Sequence, residues 1–294
     1  MADIGVFVER YTISRTEEMG AIMRLGYAAQ RMGHRVDVLF RPDIYKIPQY
    51  DALYIRTQTD PLNATYVAAR TAQMHGLRVI DDPDSIIICC DKIKMYRHLI
   101  KRKVPMPETR FLLDGELTPA SAEELLDVLG SPVVLKAPDS SFSMYVEKAA
   151  TPKEVLAVGK KFFRRADRIV AQRFVSSKFD WRVGVLGGEV LYVCQYLIPK
   201  NRWKVLTHTP DGHQIFARMQ SFKIDKVSPK LLDTALKASA SIGKGLYGVD
   251  IKQVGDDYVV IEVNDNPTIA AGDEDAEAPH MYDRLVSYLA GKWG

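Results

Sequence analysis

Few cysteines, no long apolar run and no concentrated charge set the first limits on this chain. Its three cysteines, Cys89, Cys90 and Cys194, include an adjacent pair and no C-x-x-C. That is a poor disulfide framework, and it fits a reducing, cytoplasmic setting. The six histidines form no H-E-x-x-H and no close group with cysteine, which leaves a zinc site without support. No apolar stretch nears the ~20 residues a membrane helix needs. Met1 to Arg10 carries charge on both sides of a short apolar run, unlike a signal peptide. The formal charge is only +3 and no long basic run occurs, so neither nucleic acid nor membrane is an expected partner. No G-x-G-x-x-G follows the first expected strand, and a dinucleotide fingerprint is therefore absent.

What is present is an ordinary globular composition, 47% hydrophobic and 26% charged over 294 residues, enough for one large body or two to three lobes. The first ninety residues alternate short strands (Ile4 to Val8, Val36 to Phe40, Ala52 to Arg56, Leu77 to Ile80) with helical stretches. In the first helix, Thr16 to Met32, the residues Met19, Ile22, Met23, Gly26 and Ala29 fall at helical spacing, and Gly33 follows as a stop. This alternation predicts a parallel sheet covered by helices over 1–90. A second unit over 91–175 has a helix at Lys92 to Lys103 and capping boxes at Ser121-Ala-Glu-Glu124 and Thr151-Pro152-Lys-Glu154. Its strands are Pro132 to Lys136 and Ile169 to Val175. A third unit over 176–294 pairs Trp181 to Leu186 with Glu189 to Leu197 across Gly187-Gly188, a tight hairpin signal. A helix from Ser228-Pro229 to Ile242 follows, then strands Gly248 to Lys252 and Tyr258 to Asn264, and a last helix over about 279–290.

Chemistry concentrates in Tyr247-Gly-Val-Asp250-Ile-Lys252 and Val259-Val-Ile-Glu262-Val-Asn264-Asp-Asn266-Pro267. A three-residue loop at Gly255 to Asp257 pairs Val254 with Tyr258 and sets Asp250 opposite Glu262, with Asn264 on the same face. A two-residue loop shifts that pairing and turns Asp250 away. Two carboxylates and an amide oxygen in one place repel unless a cation lies between them, and hard oxygen donors suit Mg²⁺. The alternative is a polar, solvent-facing hairpin. The apolar Val259, Val260, Ile261 and Val263 argue for a strand buried on at least one face.

This end of the chain resembles the metal-binding end of the ATP-grasp superfamily, and its RimK-like and glutathione-synthetase-like carboxylate–amine ligases above all. The resemblance implies an α/β (α+β) ATP-grasp fold: an N-terminal Rossmann-like pre-ATP-grasp lobe, a small central lobe and a C-terminal antiparallel-sheet lobe. It implies ATP and Mg²⁺ as cofactors, with Mn²⁺ able to substitute, and Asp250, Glu262 and Asn264 as the metal ligands. Lys92 and Lys136 match the two phosphate-contacting lysines, and Gln172, Arg173, Phe174 and Val175 match the hinge whose backbone holds adenine. Asp180, in Asp180-Trp-Arg182, matches a residue near the ribose. The implied reaction joins a small-molecule or peptide carboxylate to an amine through an acyl phosphate, in a homodimer or homotetramer.

The chain departs from that pattern in three places. The phosphate-covering loop, with Ser140, Ser141 and Ser143, has no glycine, although backbone N–H groups and hydroxyls still bind phosphate oxygens. Arg173 stands where an acidic residue is common. Tyr196 and Leu197 occupy the positions of an Arg-Arg pair, so Lys200, Arg202 or Lys204 is the expected substitute. Arg182 is the candidate to steady the acyl phosphate, with an ion pair to Asp180 as the alternative. Arg56, at a first-lobe strand end, is a candidate clamp for a substrate carboxylate. Asn266 is a further substrate candidate, and Asp273, in the acidic loop Gly272 to Glu277, is a candidate on the amine side; a surface arginine and a solvated loop are the plainer readings. A small-molecule kinase and a degenerate nucleotide-binding scaffold are the rival functions.

Overall fold

A computed structural model describes residues 1–139, 144–208 and 214–293, with only the backbone described at 206–208 and 214–216. The first sheet is parallel, in the order β2-β1-β3-β4. Its strands are β1 (Asp3–Phe7), β2 (Arg35–Leu39), β3 (Ala52–Ile55) and β4 (Arg78–Ile80), interleaved with α1 (Thr16–Arg31) and α2 (Ala64–Met74). Strand β3 is buried at every position, as an interior parallel strand covered on both faces should be. The buried face of α1 is Ala21, Ile22, Leu25, Ala28 and Ala29. Met23, expected on that face, is 70% exposed, because the small Ala21 and Ala28 define the contact stripe.

Two short helices, α3 (Pro83–Cys89) and α4 (Lys92–Lys101), lead out of this lobe. The Asp91 carboxylate caps α4 by accepting from the Ile93 and Lys94 N–H groups. The central sheet is antiparallel, in the order β5-β8-β6-β7. Its elements are β5 (Thr109–Leu113), α5 (Pro119–Leu129), β6 (Val133–Lys136), β7 (Val146–Ala149), α6 (Pro152–Phe163) and β8 (Arg168–Arg173). The Thr151/Glu154 capping box opens α6. Helix α5 starts one turn before its expected box: Thr118 is the cap, Pro119 fills the first turn, and Ser121 supplies the reciprocal bond.

The third sheet is antiparallel, in the order β13-β10-β9-β14-β15. Its strands are β9 (Phe179–Leu186), β10 (Glu189–Leu197), β13 (Arg218–Phe222), β14 (Leu246–Val254) and β15 (Asp257–Asn264); β11 (Leu206–His208) and β12 (Gln214–Phe216) form a separate two-stranded sheet, and α7 (Pro229–Ala240) and α8 (Met281–Leu289) are the helices of this segment. The β9–β10 turn is Gly187-Gly188, both at positive φ, as a two-residue hairpin turn demands.

The hydrophobic cores do not follow sequence order. Residues Ile93, Met95, Tyr96 and Leu99 of α4 share a core with β9, β14, β15 and α7. Helix α8 packs with α1, β1 and β10. The third sheet thus anchors both the start of the central segment and one face of the first lobe.

Candidate active site

Side chains on alternate positions of four adjacent strands line one face of the third sheet: Asp180 and Arg182 on β9, Cys194 and Tyr196 on β10, Asp250 and Lys252 on β14, Glu262 and Asn264 on β15. The β14–β15 turn has two residues, Gly255 and Asp256, and pairs Val254 with Asp257. This corrects the expected three-residue loop. Uninterrupted, that turn would oppose Asp250 to Ile261. A β-bulge intervenes: Ile251 faces Val260, Ile261 is the extra residue, and Asp250 faces Glu262 after all. The Tyr96 hydroxyl donates to the Ile261 carbonyl at 2.7 Å, so a side chain from α4 satisfies the backbone group the bulge displaces.

Tyr96 also receives a hydrogen bond from the Lys136 ammonium at 2.6 Å. Lys136 donates at 2.8 Å to the Gln172 amide oxygen, and the Gln172 amide nitrogen donates to Thr109 at 2.9 Å. A continuous polar chain therefore runs from the third sheet through α4 into the central sheet. Lys136 and Gln172 are buried. Burial pushes the Lys136 ammonium down to about 7, against the pull of Glu262. Tyr96 was not expected in the site; its signal is its place four residues after Lys92 on the same helix face.

Lys92 is buried and its ammonium lies 3.1 Å from Glu262. Burial pushes the Glu262 carboxyl up, but Lys92 and Lys136 together hold it below its usual range. Asp180 and Arg182 do not pair with each other. Asp180 binds Lys252, while Arg182 grips Asp250 with Nε and one terminal nitrogen, both at 2.7 Å. The cause is the register, which sets Asp250 directly across from Arg182. The Asn264 amide nitrogen donates to the Gly248 carbonyl and to Asp250, each at 3.2 Å.

Asp250, Glu262 and the Asn264 oxygen form a hard donor set that suits Mg²⁺. Among the described residues no three His, Cys, Asp or Glu side chains converge as a metal site. The set fits an ion that arrives with phosphate oxygens of its own.

The remaining candidates scatter more widely. Arg173 is exposed and turns to Glu108 and the Val128 carbonyl, each at 2.9 Å, so its side chain is committed outside the cleft. Phe174 meets Trp203 edge-on at 6.0 Å, with the Lys148 ammonium 4.5 Å from the Phe174 ring. Val175 is half-buried beside it. Lys204 is half-buried and its ammonium stands 5.0 Å from the Trp203 ring, while Arg202 is exposed. Ser140, Ser141 and Ser143 lie outside the described residues.

Arg56 is buried and donates to the Asn266 amide oxygen at 2.9 Å and to the Pro267 carbonyl at 3.0 Å. Asn266 in turn donates to the carbonyls of Ile55 and Thr57. The pair is a junction between the first lobe and the loop after β15. Asn266→Ala removes three hydrogen bonds and leaves buried partners unpaired. We expect a loss of roughly 2–4 kcal/mol, read as a lower urea midpoint with unchanged m. Asp273 is exposed, but its neighbours Glu274 and Asp275 are buried. Glu274 accepts from the Tyr196 hydroxyl and the Ala270 N–H, and Asp275 accepts from Tyr282 and Gly272.

Beside this junction lie two further buried acids, Asp81 and Asp265, each with one carboxylate oxygen that has no hydrogen-bond partner. Burial and then the Asp265 charge push Asp81 well above the carboxylate range, and burial pushes Asp265 up to about 7. The folded state thus holds protons that the unfolded state releases above the ordinary value of 3.8. Stability contributed by these acids is lost as pH rises through that window, which for Asp265 closes near 7. Asp81→Asn is expected to match the wild type near pH 4 and to gain on it toward pH 8, measured as urea midpoints across pH.

A sequence profile described as the RimK-like ATP-grasp domain matches residues 89–279. A "Probable alpha-L-glutamate ligase" of Thioalkalivibrio sulfidiphilus (strain HL-EbGR7) is 27% identical over 295 residues, covering 94% of this chain and 93% of the relative. Among solved structures, the D-alanine–D-alanine ligase of Bacillus anthracis complexed with ATP superposes with a TM-score of 0.73 at 14% identity, covering 99% of this chain and 96% of that one. PsnB, an ATP-grasp ligase solved with a phosphomimetic variant of its minimal precursor, Mg and ADP, gives a TM-score of 0.67 at 13% identity, with 98% of each chain covered. The two structural likenesses bear on the fold.

Proposed function

This chain belongs to the RimK-like ATP-grasp family, and from that premise we propose that it is an ATP-dependent carboxylate–amine ligase that takes L-glutamate as its amino-acid substrate. One observation supports the reading most strongly. Two buried lysines, Lys92 and Lys136, stand over a sheet face that bears Asp250, Glu262, Asn264 and Arg182. Cations kept in a buried site with partial compensation are placed for a polyanion. The similarity to the probable alpha-L-glutamate ligase of Thioalkalivibrio sulfidiphilus supports glutamate as the amino acid.

In this reading Lys92 and Lys136 hold phosphate oxygens of ATP, and the backbone from Gln172 to Val175 receives the adenine. Glu262, Asn264 and Asp250 would hold Mg²⁺, whose chemistry there would be to neutralise phosphate charge. The substrate carboxylate attacks the γ-phosphorus in line, and ADP leaves. The amine nitrogen then attacks the acyl carbon, loses a proton, and inorganic phosphate departs. Arg182 is the chain's cation nearest Asp250 and steadies the transferring group. The protein's contribution is position and charge neutralisation, with closure keeping water from the acyl phosphate. The free thiols suit the reducing cytoplasm, and no helix of the described residues is long and apolar enough to cross a membrane.

The test is ADP release from Mg·ATP with L-glutamate and a panel of carboxylates and short peptides, with products weighed by mass spectrometry. Release that requires both a carboxylate and glutamate, with a glutamyl adduct, supports the proposal. Release that continues without any amine marks a kinase and sinks it.

A further inference from the structure

Arg182 and a divalent cation have claims on the same carboxylate, and this conflict fixes how the site is armed. A carboxylate offers about four lone-pair positions. In Asp250, Oδ1 accepts from Arg182 Nε, and Oδ2 accepts from an Arg182 terminal nitrogen and from the Asn264 amide. One position is left. The bidentate geometry is the strong form of the pair, and it is largely shielded from water, with the two side chains 15% and 20% exposed. An ion placed against Asp250, Glu262 and Asn264 would meet the guanidinium at contact distance, with both cations drawing on one negative charge.

Arg182 also has a second contact, one it would keep on leaving Asp250. Its guanidinium carbon lies 5.2 Å from the centre of the Tyr196 ring, a cation–π distance. The Tyr196 hydroxyl is pinned to Glu274, and Glu274 is pinned to the Ala270 N–H. The ring is therefore a fixed wall on the side away from Asp250. Gly248 makes room for Pro267 beneath this site: a Cβ there would stand 2.6 Å from Pro267, whereas Arg182 Cδ, at 3.5 Å, would be in ordinary contact.

We propose that Asp250 is an exchange contact, which tethers Arg182 while the site is empty and releases it to the transferring group when a divalent cation binds with nucleotide. The inference rests on the nucleotide-binding reading above. It makes Arg182 a competitor of the ion in the empty protein and a free cation only in the loaded one. The tether would prevent the guanidinium from capturing a stray carboxylate or phosphate before ATP is in place.

The test is Mn²⁺ binding to the ADP-saturated protein, followed by isothermal titration and by the paramagnetic signal of free Mn²⁺. Arg182→Met removes the competitor and leaves Asp250 with the Asn264 amide but no opposing charge, so Mn²⁺ affinity should rise roughly tenfold or more. Arg182→Lys keeps the charge but not the fork and should bind Mn²⁺ more tightly than wild type by a smaller factor; it also serves if Arg182→Met fails to fold. Unchanged or weaker Mn²⁺ binding in a variant with wild-type circular dichroism overturns the exchange while leaving nucleotide binding intact. A wild-type protein that takes up ADP but no Mn²⁺ overturns it as well. No uptake of either would bring down the nucleotide reading itself.

Discussion

Lys136→Ala should abolish the rise in melting temperature that Mg·ATP gives the wild-type protein. Ligand at about 100 times its dissociation constant adds roughly 2.7 kcal/mol to stability, a shift of several degrees in a chain of this size. Lys136 is only 5% exposed and bonds to Tyr96 and Gln172, with Glu262 as its strongest charge support. The protein without ligand gains little from this charge, since burial has driven the ammonium down from 10.5 to about 7. The sign of the pH dependence follows. Between about 7 and 10.5 the unfolded chain binds a proton that the folded chain does not, so stability rises with pH across that window. A phosphate beside the lysine restores its preference for the proton. Nucleotide binding should therefore take up a proton above pH 7, and the wild-type shift should be large at pH 6 and shrink toward pH 9. Lys136→Ala should remove both the shift and the rising slope of the unliganded protein. Differential scanning fluorimetry from pH 6 to 9, with and without Mg·ATP, reads both. A full ligand shift in the alanine variant would remove Lys136 from the nucleotide site.

The parts of the site legible in the sequence were those fixed by periodicity within one strand or helix. Periodicity places Lys92 at the opening of a capped helix and Lys136 at the end of an apolar strand, where the structure has them; their proposed role toward phosphate rests on the resemblance to ATP-grasp ligases. The juxtaposition of Asp250 and Glu262 was expected from a three-residue turn, and it arises from a two-residue turn corrected by a bulge at Ile261. Periodicity cannot reveal a bulge, because the bulge is stabilised from outside the hairpin by Tyr96 on α4. The same limit explains Arg182. Within β9 its nearest opposite charge in sequence is Asp180, but partners in a sheet are set across strands, and the neighbour across from it is Asp250. Arg56 and Asn266 are 210 residues apart in the chain. Only the packing of the first lobe on the loop after β15 brings them together, and it turns a candidate substrate clamp into a junction between lobes.

The second large effect is expected at Glu262. Glu262→Gln should lower ADP release to background, a loss of roughly a thousandfold or more for a charge that, in the proposed reading, would help to hold Mg²⁺. Glutamine is the informative replacement because its amide oxygen can still accept from the Lys92 ammonium, which sits 3.1 Å from the carboxylate. The fold should therefore survive, whereas Glu262→Ala would leave the buried Lys92 without that partner and cost several kcal/mol. Lost charge also reaches Lys136, because Glu262 is the charge that most strongly opposes the effect of burial on that ammonium. Without it the Lys136 ammonium should fall below about 7, and the pH at which Mg·ATP loses half its stabilising effect should move down with it. Glu262→Gln is thus predicted to act twice, through the ion and through a lysine on the opposite lobe. The two actions separate in one experiment. ADP without metal reports the lysines alone, and its binding should weaken at pH 8 but persist at pH 6. ADP with Mn²⁺ reports the ion as well, and the metal-dependent gain in affinity should vanish at both pH values. A variant that keeps its metal-dependent gain would assign the ion to other ligands, and one whose ADP binding keeps the wild-type pH profile would disconnect Glu262 from Lys136.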